Sequence, residues 1–233
     1  NRQDLQIVLE RLEREFGLKV RTGRPAVAVR ETVRATALGD ALYAPPPVPD
    51  QRIPERTARV VVKISPRDRG AGILVHNAAS VLPEGAVMTP EQAQAVEAGV
   101  RLALAAGPLQ GATVQDVEVA VSQVELFGQA STTEALSAAA SRAVHKAVEK
   151  AEPALLRPLM AVEVVVPESN LGAVLGDLQS RHAVIRDTRT EGETVTIDCE
   201  VALERLLGYT TDLRSQTQGR GQFSMQFDRF DLT

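Results

Sequence analysis

Apolar residues recur at helical spacing from residue 3 to residue 16, where Leu5, Val8, Leu9, Leu12 and Phe16 share one face. Glu and Arg take the other face, and Gly17 ends the run. LKV and AVAVRETV (residues 18–20 and 26–33) then read as strands. Between Arg34 and Arg56 lies YAPPPVPDQRIPER, whose five prolines remove backbone donors and predict a linker or exposed loop. ARVVVKI (58–64) is a β-branched run that predicts a buried strand, and a glycine-containing turn from Arg69 to Gly72 leads to ILVHN, predicting a hairpin. A helix is predicted from Thr89, with Pro90 at its first position and Ala93, Val96, Val100 and Leu104 on one face, stopping at Gly107-Pro108. VQDVEVAVSQVEL alternates as a strand, and after the small polar stretch GQASTT comes a helix from Glu134 to Lys150 with Ala and Val inside. Such a helix can pack closely on the preceding strands.

A second unit begins near Pro153. MAVEVVVP (160–167) reads as a strand, and NLGAVLGDLQSR as a helix with Leu171, Val174, Leu175 and Leu178 on one face. AVIRDTRT and ETVTIDCEV form a hairpin through Glu191-Gly192, ALERLLGYTTDLRSQT (202–217) is helical, and QFSMQFDRF is a final strand. The order is βαββαβ, the ferredoxin-like arrangement, over about 75 residues. The fold class is therefore α+β, with sheets covered by helices.

Composition narrows the chemistry. The 233 residues suit one large domain or two small ones, and the core is aliphatic because aromatics make up 3% of the chain and Trp is absent. The one cysteine, Cys199, lies in a strand pattern and reads as a core residue, which fits a reducing compartment. No stretch of about 18 apolar residues occurs, so no membrane span is expected. The first residues read as an amphipathic helix rather than a targeting peptide. A net charge of −4 argues against wrapping nucleic acid over a uniformly basic surface, leaving individual basic spots to be sought.

Catalytic patterns are missing. Neither GxxxxGKS nor GxxxxGKT occurs, and HxxxH, CxxC and GxSxG are absent. His76, His145 and His182 stand apart without Cys or carboxylate neighbours at metal spacing. No catalytic, cofactor-binding or metal residues are expected. In GYTTDLRSQTQGRGQF (208–223) the glycines are followed by a strand pattern where a nucleotide cradle needs a helix, so they read as a turn that leaves Arg214 and Arg220 outside.

Four motifs in order, LERLEREFGLKVRTGRPAVAVRET, AVEAGVRLALAAGPLQG, LLRPLMAVEVVVPESNLGAVLGDLQSR and LGYTTDLRSQTQGRGQFSMQFDRFD, resemble the C-terminal half of elongation factor G, a translational GTPase. The resemblance implies the end of domain III in residues 1–25, a domain IV with the fold of ribosomal protein S5 in 26–155, and a ferredoxin-like domain V in 156–233. It implies a GTP-binding domain and domain II upstream, which would hold the GTP and magnesium, and a helix after the last strand. Departures stand out. Where translocases carry DGSYHxVDSS this chain has ELFGQASTTEALSAAASRAVHKAVEKA, more similar to the mitochondrial ribosome-recycling paralogue. The proline-rich segment replaces a glycine-rich loop, Arg157 stands in LLRP where the family has Glu, and Arg181-His182-Ala183 replaces RRG.

The resemblance thus implies a ribosome-binding module in the mitochondrial matrix, or in a bacterial cytoplasm if the role is translocation. Its domain IV tip, with Leu126, Phe127, Gly128, Gln129, Ser131, Thr132 and Thr133, would contact ribosomal RNA or the recycling factor. Ser131 or Thr132 also reads as an ordinary helix cap. In domain V, Arg181, His182, Arg214, Gln218, Gly219 and Arg220 would meet RNA, arginine being suited to gripping phosphate with two hydrogen bonds. A ribosome-assembly factor is the second reading. A small-molecule enzyme is the third, and no convergent set of titratable residues supports it.

Overall fold

The computed structural model describes residues 28–46, 48–50 and 55–233; the helix expected at 3–16, the strand LKV and the end of domain III lie outside them. The chain divides into two compact units, one spanning Arg30–Leu155 and the other containing Leu156–Thr233.

The first unit holds β1 (Arg30–Val33), β2 (Ala37–Tyr43), β3 (Ala58–Pro66), β4 (Ile73–Leu82), α1 (Pro90–Leu104), β5 (Val117–Leu126) and α2 (Thr133–Lys150). Its sheet runs β2-β3-β5-β4, antiparallel except for the β4/β5 pair, which is parallel because α1 crosses between them. Alternation in β3 buries Ala58, Val60, Val62 and Ile64 beneath the helices. In β5 it buries Val117, Val119 and Val121, then shifts at a bulge around Ser122 to bury Val124. The inner face of α2 is Ala135, Ala139, Ala140, Ala143 and Ala147 with Leu136, Val144 and Val148. These small side chains let backbones approach: a Cβ on Gly39 of β2 would lie 1.8 Å from the Ala143 carbonyl oxygen, and one on Gly99 of α1 would lie 2.2 Å from that of Ser137.

Two expectations are corrected here. Ala37–Tyr43 forms an edge strand that the sequence pattern did not reveal, so the proline-rich connection begins only after Tyr43. β3 and β4 do not form a hairpin, since β5 lies between them and offers each a valine-rich partner strand buried by the helices.

At the other end of this sheet, the fully buried Glu31 accepts hydrogen bonds from the backbone N–H groups of Leu109 (2.7 Å), Gln110 (3.2 Å) and Ala112 (2.8 Å). A side chain on Gly107 would collide with that carboxylate at 2.5 Å. Three fixed donors replace the water that a buried carboxylate needs.

The second unit holds β6 (Pro153–Pro167, beginning within the first), α3 (Leu171–Ser180), β7 (Val184–Glu191), β8 (Thr194–Ala202), α4 (Tyr209–Thr217) and β9 (Gln222–Asp231). These four strands run β9-β6-β8-β7 with every pair antiparallel, the expected ferredoxin-like order. The helix expected over 202–217 is broken. Leu203–Leu206 make a short 3₁₀ turn, Gly208 adopts φ +75°, and α4 starts afresh at Tyr209.

The core contains Met160, Val162, Val164, Ile197, Val201, Val174, Leu178, Tyr209 and Leu213. Cys199 is buried with them, and burial pushes its thiol up to about 11. The opposite sheet face is ionic: Arg186 meets Glu200 at 2.8 Å, Arg229 meets Glu200 at 3.3 Å, and Arg189 meets Asp198 at 3.3 Å. Hydrogen bonds from Arg186 and then Arg229 hold the Glu200 carboxyl below the usual carboxylate range.

Candidate functional site

In the first unit, β5 ends beside the start of β3, with Ala58 opposite Leu126 and Leu82 of β4 opposite Glu125. Three connections therefore leave the same end of the sheet, at 44–57, 83–89 and 127–132. Leu126 and Phe127 are half-buried; Gly128, at φ +59°, and Gln129 are exposed on a short 3₁₀ turn. Ser131, 3% exposed, donates its hydroxyl to Thr57 O (2.6 Å) and accepts from Phe127 N–H (2.8 Å). Its side chain joins strands rather than facing solvent. Thr132 caps α2 by accepting from Ala135 N–H (3.2 Å), and Thr133 is exposed in the first turn. Of the small polar residues grouped by sequence, Gly128, Gln129 and Thr133 are thus the exposed ones.

The arginines of the second unit separate into two sites. Arg181 ends α3, with its side chain only 12% exposed. Its guanidinium donates to Asp177 (2.9 Å), to Arg205 O (2.7 Å), to Leu207 O (3.2 Å) and to Asp212, and lies 4.9 Å from the Tyr209 ring centre. This group clamps the end of α3 to the 3₁₀ turn and the start of α4, with little donor capacity left for a phosphate. Burial beneath it pushes the Tyr209 hydroxyl well above the usual phenol range. Next along, His182 is exposed at φ +57° and closes α3 in a Schellman turn, where His182 N–H reaches Gln179 O (3.0 Å) and Ala183 N–H reaches Leu178 O (3.0 Å).

Arg214 and Arg220 belong to the opposite end of the helical layer. α4 closes through Gln218 (φ 52°) and Gly219 (φ 79°), with Gly219 N–H bonded to Arg214 O (2.8 Å). The bare Cα of Gly221 sits against Thr217, whose hydroxyl accepts its N–H at 2.8 Å, and the chain turns into β9. Arg220 is exposed and touches Asn170, just before α3 begins, at 3.4 Å. Arg214 is exposed on α4, and neither arginine has a carboxylate within ion-pair distance among the described residues. Arg181 lies at the far end of α3, ten residues or about 15 Å away. The six domain V residues singled out by sequence therefore do not form one surface: Arg214, Gln218, Gly219 and Arg220 go together, Arg181 and His182 elsewhere.

Sequence reasoning missed two features. Arg56, exposed at φ +60°, adjoins the Thr57 that Ser131 holds, so it sits at the three-connection end. His76 pairs with Glu118 at 2.6 Å across β4 and β5, a carboxylate neighbour 42 residues away that linear spacing hides. Among the described residues no cluster of three or more His, Cys, Asp or Glu could hold a metal, and no helix is long and apolar enough to cross a membrane. The Gln218–Gly221 turn leads into a strand and offers no helix N-terminus for a nucleotide phosphate.

Comparison with known proteins places these units. Residues 25–152 match the family pattern described as "Elongation factor G, domain IV", and residues 154–233 match "Elongation factor G C-terminus". Elongation factor G 1 of Geobacter sulfurreducens is 35% identical over 230 residues, which is 97% of this chain and 32% of that protein. Elongation factor G of Aquifex pyrophilus is 35% identical over 231 residues, 97% of this chain and 31% of that protein. A crystal structure of a Thermus thermophilus protein aligns over 98% of this chain and 33% of its own, with 27% identity and a TM-score of 0.75. The chain thus spans about a third of the length of these relatives. It belongs to the elongation factor G family, of which it carries domain IV and the C-terminal domain.

Proposed function

We propose that this chain is the ribosome-binding C-terminal part of a translational GTPase of the elongation factor G kind, acting in ribosome recycling. The observation that carries the ribosomal reading is the exposed pair Arg214 and Arg220, two guanidiniums without carboxylate partners among the described residues beside the Gln218–Gly221 turn, whereas Arg181, Arg186, Arg189 and Arg229 of the same unit are ion-paired. Such groups suit RNA phosphates. GTP and magnesium would be held by an upstream domain, a reading supported by the lack of a GxxxxGKS or GxxxxGKT pattern in this sequence. The chain's part is to bind and to transmit a conformational change.

The recycling assignment rests on the GQASTT stretch in place of DGSYHxVDSS, which also motivates a mitochondrial matrix location and partnership with the recycling factor. Translocation in a bacterial cytoplasm is the second reading, favoured by 35% identity to two bacterial proteins named elongation factor G. Subunit splitting separates them. The parent protein with GTP and recycling factor should convert intact ribosomes to subunits, and translocation of a peptidyl-tRNA analogue without splitting would overturn recycling. Exclusive co-sedimentation with precursor subunits would instead point to assembly.

A further inference from the structure

In the second unit, α3 begins with an asparagine that does not cap it. Asparagine is favoured at a helix N-terminus because its side-chain oxygen can accept a backbone N–H of the first turn. Asn170 occupies that place, with φ −101° and ψ 0°, yet its side chain makes no such bond. The amide reaches across to α4 instead. Its Nδ2 donates to Gln216 O (3.0 Å), one of the last carbonyls of α4, for which that helix supplies no N–H. Its Oδ1 accepts from the Arg220 guanidinium (3.4 Å).

Both ends of this bridge are fixed. Asn170 is half-buried and closes a 3₁₀ turn, Glu168–Asn170, whose Glu168 N–H is bonded to Glu193 O (2.8 Å). On the other side Thr217 is fully buried and donates its hydroxyl to Leu213 O (2.7 Å), while its carbonyl accepts Arg220 N–H (3.1 Å) and lies 3.4 Å from Arg220 Nε. The Arg220 guanidinium is thus held by two neutral oxygens, a side-chain amide and a backbone carbonyl. Neutral acceptors orient a guanidinium and leave its charge uncompensated, with donors to spare. The carboxylates at Arg181 orient and neutralise together.

Resting on the ribosomal reading above, we propose that Asn170 is a positioning residue, which holds Arg220 in the posture that meets an RNA phosphate without cancelling its charge. A guanidinium ordered before binding loses less freedom when the phosphate arrives. NMR relaxation of the arginine Nε–H groups in the full chain reads the hold directly. Asn170→Ala removes no helix cap, and should free the Arg220 side chain while leaving that of Arg214 unchanged. On purified ribosomal subunits it should weaken binding about threefold with the salt slope unaltered, because the charge remains. Arg220→Ala should instead lower the slope by roughly one phosphate contact. In the Arg220→Ala background, Asn170→Ala should have no further effect. Asn170→Asp should set a carboxylate against Arg220 and lower affinity and slope together, as Arg220→Ala does.

An Arg220 side chain equally ordered in Asn170→Ala, unaltered binding by that variant, or the same loss of binding with and without Arg220 would overturn the proposal while leaving the ribosomal reading in place. Failure of the unmodified chain to co-sediment with subunits, or binding indifferent to Arg214→Glu with Arg220→Glu, would overturn both.

Discussion

The two units solve the same problem, two helices on one face of a sheet, in different ways. The first closes the layers with alanine and glycine, so close that Gly39 and Gly99 have backbone oxygens where a Cβ would go. The second uses larger side chains, including a buried Tyr209, and fastens its helix ends with the Arg181 clamp. Stability in the first unit is therefore limited by distance, and in the second by polar groups at the helix ends. The lesson for function is that a cation's position in sequence says little until its partners are known: Arg181 and Arg220 flank similar turns, and only Arg220 lacks carboxylate partners.

The sharpest way to break the contrast is Gly39→Val, which should cost more than about 3 kcal/mol because neither backbone can yield without parting β2 from α2. Denaturant unfolding should show the first unit melting early and the second unaffected. Arg181→Ala comes next, at about 2 kcal/mol, from lost hydrogen bonds and lost packing on Tyr209. It should lower the unfolding midpoint of the second unit alone. If Arg181→Ala instead leaves stability intact and weakens ribosome binding, the clamp reading fails.

His182→Gly should act in the opposite direction, stabilising by roughly 1 kcal/mol because glycine occupies the left-handed region without Cβ strain. Hydrogen exchange at Gln179–Ala183 would register the slower fraying of α3.

Smaller again is the pH response of the ionic sheet face. The Glu200 carboxyl is held low in the folded state, so its contribution is fully present above its unfolded value of about 4.3 and is lost as pH falls through the folded value. Glu200→Gln should flatten the fall in unfolding midpoint as pH drops below about 5. Smallest in stability is Arg214→Ala with Arg220→Ala, within about 0.5 kcal/mol of the parent. Each should nonetheless reduce the salt dependence of ribosome binding by roughly one phosphate contact, which separates a binding arginine from a clamping one.

Much of this architecture was legible in the sequence. The β-branched run ARVVVKI and the stretch MAVEVVVP became strands, and the apolar stripes of α1, α2 and α3 became buried helix faces. β2 escaped because ALGDALY carries a glycine and an aspartate and runs into prolines; it is a strand because β3 needs an antiparallel neighbour and α2 needs a surface without side chains at Gly39. The β3–β4 hairpin was wrong because nearness in sequence is a weaker force than the crossover of α1, which delivers β5 between them. The division among the arginines was invisible because every partner of Arg181 except Asp177 lies more than twenty residues away.

The buried Glu31 has one more consequence, for proteolysis. The Gly107–Ala112 loop lies on the surface with Leu109 and Gln110 exposed, the composition that proteases ordinarily exploit. A protease must draw such a segment out into an extended strand and pair with its backbone. Here three of those N–H groups are already occupied from beneath by one carboxylate, so the loop resists cutting in the folded state and becomes a cleavage site only when β1 lets go.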